Sequence, residues 1–237
     1  MKIFRFHKSF NSVVIGLAES GNFIPPEIAT TMTQQAIDYR SVNRHLIPLC
    51  ECSQLRDAGL VATNVSPLVV DLTQPLPESP SDSSIGSLYH QTTPDDQAVY
   101  KDAEHRLQTQ DHHLRRNTFY LPFFQKMNAE LDRLVEKFGS AKLLMISCDP
   151  SLTGHKICLA GNITGMPGLA EIDIEIKELD QQPLIDQRPV SDQVKTCKLT
   201  LSSDCFLEKG IWSDSKADQL REVLAKVIGE FSTNQTH

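Results

Sequence analysis

The chain has 237 residues, of which 40% are hydrophobic and 22% charged, with a formal net charge of -7. That balance is the composition of an ordinary globular protein, and its acidity does not indicate a nucleic-acid or anionic-membrane surface. The length suits one large α/β domain or two small ones.

No run reaches the ~20 apolar residues of a membrane span. The charged start, Met1 to Lys8, is followed by no signal-peptide apolar region, so a cytoplasmic protein is expected, with neither membrane nor nucleic acid among its partners. The six cysteines, Cys50, Cys52, Cys148, Cys158, Cys197 and Cys205, contain no C-x-x-C pair, and buried thiols are expected rather than a disulfide framework.

Ser12 to Pro26 (SVVIGLAESGNFIPP) is the first informative stretch: an apolar run ends at Ala18-Glu19-Ser20-Gly21, and Pro25-Pro26 then opens a helix. A buried strand, a Gly turn and a Pro-started helix are how an α/β domain presents polar groups at the carboxyl edge of its sheet. The first strand is therefore expected over Ser12 to Leu17 and a helix over Pro25 to Met32. Val42, Leu46, Leu49, Cys50 and Leu55 give a helical stripe that Pro48 interrupts, which predicts a kinked helix or two short ones. Gly59 to Thr63 and Pro67 to Leu72 are expected as buried strands, and strand, helix, strand predicts a mostly parallel sheet.

From Thr73 to Asp96 the composition turns to Pro, Ser, Asp and Thr, the mark of a long surface connector or lid. Ala98 to Asn117 is a polar helix whose His105 and His112 share one face, expected to be a solvated face. Tyr120 to Phe138 carries the clearest apolar stripe (Phe124, Met127, Leu131, Leu134, Val135, Phe138) and ends at Gly139. Lys142 to Ser147 follows as a central strand, from whose carboxyl end Cys148-Asp149-Pro150 emerges.

Thr153 to Leu169 is Gly-rich but lacks the G-x-x-x-x-G-K of a phosphate loop. Ala170 to Leu179 alternates Ile172, Ile174 and Ile176 against acidic neighbours and predicts a half-exposed strand, and a final helix is expected from an N-cap at Ser215 to Phe231.

The order of these stretches resembles the N-formylglutamate amidohydrolase family across nearly the whole chain. LAESGNFIPP matches the family's PHSG-type turn and Pro-started helix, and Ser66 to Gln74 matches its SRYVVDLNR strand. Thr92-Thr93 to Tyr100, Pro122-Phe123-Phe124, LLMISCD and Asp173 to Lys177 match, in order, its Thr-Thr/Tyr loop, Pro-Tyr-His helix start, DAHS-type turn and QIEIN-type strand. The resemblance implies a single three-layer α/β/α domain over 1–237, with a polar loop at about 73–96 and a mostly parallel mixed sheet like that of zinc carboxypeptidases. It implies hydrolysis of the amide bond of a small N-acylated amino acid, with a divalent metal activating water, a carboxylate moving the proton and an Arg pairing with the substrate carboxylate.

Carried over position by position, Glu175 is the expected proton-moving carboxylate, and Ser20, Asp71, Thr73 and Gln74 are the expected substrate contacts. The departures fall on the chemistry: Glu19 stands where the family has its first-turn His, Cys148 with Asp149 beside it where it has the late His, and Pro67 where it has the Arg. Glu19, Asp38, Cys148 and Asp149 are the candidate altered metal set, the carboxylates suiting Mg or Mn and the thiolate Zn. Three readings stay open: a divergent metal hydrolase, an inactive family member that binds a small molecule or a partner, and nucleophilic catalysis by Cys148 with His155 as base.

Overall fold

The computed structural model describes residues 2–52, 55, 57–76, 88–101, 109–154, 156–161, 174–177 and 192–233. Seven of its strands form one sheet in the order β1-β3-β2-β4-β7-β5-β6. They are β1 (Phe4–His7), β2 (Val13–Leu17), β3 (Gly59–Thr63), β4 (Ala141–Cys148), β5 (Ile157–Gly161), β6 (Ile174–Lys177) and β7 (Val194–Leu201). Strands β3, β2, β4 and β7 run parallel, β1 is antiparallel to β3 at one side, and β5 is antiparallel to β7 at the other. A small hairpin of β8 (Leu207–Glu208) and β9 (Ile211–Trp212) stands apart.

The two faces of the sheet are both buried, which is why its central strands are continuous apolar runs. In β2, Val13, Ile15 and Leu17 pack into one core with Leu220, Leu224, Val227 and Phe231 of the last helix, α6 (Asp214–Thr233). Val14 points into a second core with Phe124, Met127, Leu131 and Leu134 of α5 (Leu121–Phe138). Period-2 alternation thus assigns each strand residue to a layer, and the architecture is helix, mixed sheet, helix. No described helix is long and apolar enough to cross a membrane.

Several expectations hold with small changes of boundary. The helix opened by the two prolines is α1 (Pro26–Ala29), with Pro25 as N-cap. After α2 (Gln34–Asp38), the stripe broken by Pro48 is a 3-10 turn, Val42–His45, running into α3 (Leu46–Cys50). Helix α5 stops at Gly139, whose φ of 78° is the left-handed cap that a side chain would strain. None of the six cysteines forms a disulfide, and five of them are buried.

Other expectations are corrected. The first strand is β1, an edge strand that precedes Ser12. Pro67 to Leu72 is not a strand: Ser66 accepts hydrogen bonds from the amides of Val69 and Val70 at 2.9 and 3.4 Å and its hydroxyl takes that of Leu68, curling the apolar run into a buried turn. The Gly-rich stretch contains β5, and β7 has no counterpart among the strands expected from the sequence. Within the polar loop, residues 77–87 lie outside the described residues, but Leu88 and Tyr89 are fully buried, so this end is packed rather than solvated.

The helix before α5 is described as α4 (Thr109–Arg115), joined to α5 by a π-helical turn, Arg116–Tyr120. His105 lies outside the described residues, and His112 is buried rather than solvated, its Nδ1 2.8 Å from the Tyr89 hydroxyl. Next to it, buried Arg115 donates to Val69 O at 3.0 Å and to the Tyr100 hydroxyl at 2.9 Å. This cluster fastens residues 88–101 to the helical layer from behind.

Candidate functional site

The carboxyl ends of β2, β3 and β4 meet at one edge of the sheet, where the chain leaves each strand for a loop. Above them is a cavity of about 420 Å³, walled by Glu19 from the turn after β2, Tyr39, Ser41, Val42 and Asn43 after α2, Pro67 and Leu68 from the buried turn, His90, Thr92, Thr93, Pro94 and Asp96 from the 88–101 segment, and Cys148 and Pro150 after β4. A cavity at this edge, at the crossover between parallel strands, is where open α/β sheets bind ligands.

The turn that brings Glu19 here is fixed by its neighbours. The Ser20 hydroxyl lies 3.2 Å from Leu17 O and 3.0 Å from Thr63 O, tying the ends of β2 and β3 together. Gly21 packs so closely on Asn64 and Val65 that no side chain fits between them. Glu19 is left partly buried, and its carboxyl is pushed up from 4.5 to about 6 by burial first and then by Asp71 and Asp149, against the pull of Lys198 and His90.

Asp71 is the buried centre of the charge pattern. Its Oδ1 accepts the Thr73 amide at 2.8 Å and the Thr73 hydroxyl at 2.6 Å, and its Oδ2 lies 3.3 Å from His90 Nε2. Burial alone would raise its pKa, but these bonds outweigh it and leave the carboxyl ionised below its usual range. The same bond raises the His90 pKa against burial, helped by the charges of Asp71 and Glu19. At the far wall, the Asn43 carboxamide grips the backbone of Cys148, accepting its N–H at 2.6 Å and donating to its carbonyl at 3.3 Å. The Cys148 thiol is pushed up to about 12, by burial and then by Cys205, Asp149 and Glu19.

Of the residues expected at a site, Glu19 and Cys148 line the cavity, and Asp71 and Asp149 act on Glu19 through their charge. Ser20, Thr73 and Gln74 do not line it: Ser20 closes the turn and Thr73 holds Asp71. Asp38 is exposed on α2, where its carboxyl takes the Gln34 side-chain amide at 3.0 Å, and it lines a neighbouring cavity. Glu175 lies on β6, paired with β5, and its side chain lies outside the described residues, as does His155. Tyr39, Asn43 and His90 are site residues that the sequence did not single out; a lone Tyr, Asn or His in a polar stretch carries no spacing signal.

Fold and cavity together define an α/β protein with an open cavity at the carboxyl edge of a mostly parallel sheet. The chain belongs to the N-formylglutamate amidohydrolase family, whose model matches residues 11–155, more than half of its length. It is similar in fold to N-formylglutamate amidohydrolase from Ralstonia eutropha JMP134, with a TM-score of 0.75 and 16% identity over 98% of this chain and 99% of that one. It is likewise similar to gene product Atu2144 from Agrobacterium tumefaciens, with a TM-score of 0.68 and 14% identity over 100% and 97% of the two chains. No curated protein matches the sequence.

The metal implied by the resemblance can be tested against the donors present. Among the described residues no three His, Cys, Asp or Glu side chains converge on a point that could hold an ion. Both Asp71 oxygens are engaged, and Asp149 Oδ1 accepts the Ser151 amide and hydroxyl at 2.8 and 2.7 Å. Asp38 stands outside the cavity. The described donors do not fit a divalent cation.

Proposed function

We propose that this chain is a family member that keeps the ligand cavity and has lost the metal-dependent hydrolysis that the family resemblance implies. The reading rests on one observation: Glu19 stands at the first-turn position, and among the described residues no three His, Cys, Asp or Glu side chains come together to hold an ion. A divalent ion needs ionised, converging donors with lone pairs to spare. The function supported best is binding of a small molecule in the carboxyl-edge cavity, within one domain spanning 1–237.

The test is metal analysis of protein purified without chelator, alongside hydrolysis assays on N-formyl and N-acyl amino acids. Metal well below one ion per chain and no turnover are expected. Stoichiometric metal together with activity that Glu175→Gln abolishes would overturn the reading and restore the divergent metal hydrolase.

A second reading is favoured by the His90–Asp71 pair, an imidazole held by a carboxylate beside the titrating Glu19. Such a group can move protons without a metal, so this reading is a metal-independent amide hydrolase. It expects turnover that survives EDTA and disappears in His90→Gln; absence of turnover removes it.

A further inference from the structure

Resting on the reading of the cavity as a ligand site, we infer that it selects a positively charged small molecule, an amine carried on a short acylated chain, and discriminates against the carboxylate-bearing ligands that an Arg clamp would hold.

The lining carries the argument. Glu19 and Asp96 contribute carboxyl groups, and neither Lys nor Arg is among the described residues that wall the cavity. Pro67, where the resemblance expects a guanidinium, adds an apolar ring instead. Asp71 and Asp149 stand behind Glu19 and add negative potential. Two cations oppose them. His90 lines the cavity but is held on Asp71 at 3.3 Å, and Lys198 acts on Glu19 and Asp149 together without lining the cavity. Among the described residues, negative groups therefore outnumber positive ones around the space a ligand would fill.

Glu19 is also uncommitted. Among the described residues its environment contains charges and burial but no hydrogen bond to its carboxyl. A half-buried carboxyl facing a cavity without a donor is stabilised by a ligand that brings one, and an ammonium group brings three together with a charge. Of the rest of the lining, Val42, Pro67, Leu68 and Pro94 are apolar and suit an alkyl segment, while Ser41, Asn43, Thr92 and Thr93 offer polar groups to an amide. Anionic ligands would meet the same potential with the wrong sign, a form of selection by repulsion.

Three probes separate the ammonium from the chain that carries it: N-acetylputrescine, a monocation; N-butylacetamide, the same amide and alkyl chain without the ammonium; and N-formylglutamate, a dianion. Titration calorimetry of the full chain near neutral pH should rank them in that order, with the cation about tenfold tighter than the neutral probe, a ratio set by one partly screened charge pair. Glu19→Gln should erase most of that ratio while N-butylacetamide affinity stays within about twofold, a pattern that misfolding cannot produce. Asp96→Asn, at an exposed residue, is the second variant and should narrow the ratio by a smaller factor should Glu19→Gln fail to fold. N-formylglutamate binding as tightly as the cation, or equal binding of cation and neutral probe, overturns the inference and leaves the cavity standing as a ligand site. Binding of none of the three overturns both.

Discussion

Gly21→Ala puts the close packing behind the Glu19 turn to a direct test. A methyl group at Gly21 would come under 3.0 Å from the backbone of Asn64 and Val65, an approach that real Cβ atoms essentially never show. Backbone cannot rotate aside as a side-chain tip can. These segments are joined by the Phe23 amide on Asn64 O at 2.8 Å and the Ser66 amide on Phe23 O at 2.9 Å. Opening the gap to the 3.4 Å of ordinary contact strains both bonds. Their loss at about 1 kcal/mol each, with ~1–3 kcal/mol of overpacking strain, gives a destabilisation of about 3–5 kcal/mol. Urea unfolding followed by far-UV circular dichroism and by Trp212 fluorescence, the chain's single Trp, would read this as a lowered midpoint at unchanged slope. Gly229→Ala is the control: in α6, where an added methyl meets nothing within 4 Å, the same change should stabilise by about 0.5–1 kcal/mol. A Gly21→Ala variant within about 1 kcal/mol of the parent would refute the rigid approach of the two segments.

Three further outcomes are expected. The Glu19 pKa is raised on folding, so the stability linked to its proton is complete below pH 4.5 and lost as pH rises through about 6; Glu19→Gln should gain on the parent across that window by about 2 kcal/mol, and parallel stability curves would exclude the shift. The Asp71 bond raises the His90 pKa, so His90 should titrate above the usual imidazole value by NMR and fall in Asp71→Asn, where only the charge of Glu19 still opposes burial; an unmoved titration would break the pairing. Buried Glu130 accepts the Ser9 amide at 2.8 Å and Arg133 at 2.6 and 2.9 Å, so Glu130→Ala should cost about 3 kcal/mol in chemical unfolding, part of it regained on adding Arg133→Met.

The strands that cross the centre of the sheet were legible because both their faces are buried. Val13 to Leu17, Gly59 to Thr63 and Lys142 to Ser147 read as apolar runs with nothing else to be, and the stripe ending at Gly139 reads as a helix by period and cap. The same signal misleads at Pro67 to Leu72, since a buried turn capped by Ser66 is as apolar as a strand. Val194 to Leu201 carries a readable alternation, with Cys197, Leu199 and Leu201 inward, but Lys195 and Lys198 mask it. At the site, the turn bearing Glu19 was visible from its Gly and Pro residues. His90 was not, because its role comes from Asp71, a partner nineteen positions away that only folding brings to it. Nor was Asn43, whose partner is a backbone group 105 positions distant.

The grip of Asn43 on Cys148 has a mechanical consequence. Strand β2 pairs with β4 only as far as Met145, and the Asn43 carboxamide takes over where β2 stops, a side chain imitating one more peptide of the neighbouring strand. The 3-10 turn that carries Asn43, with Ser41 and Val42 at its start, is thereby latched to the strand end that carries Cys148 and Pro150. Two walls of the cavity become a single frame, unable to part without breaking a bidentate bond. The amide proton of Cys148 is a built-in gauge of that frame: its exchange with solvent reports each opening of the latch, and a ligand braced between the two walls would slow it.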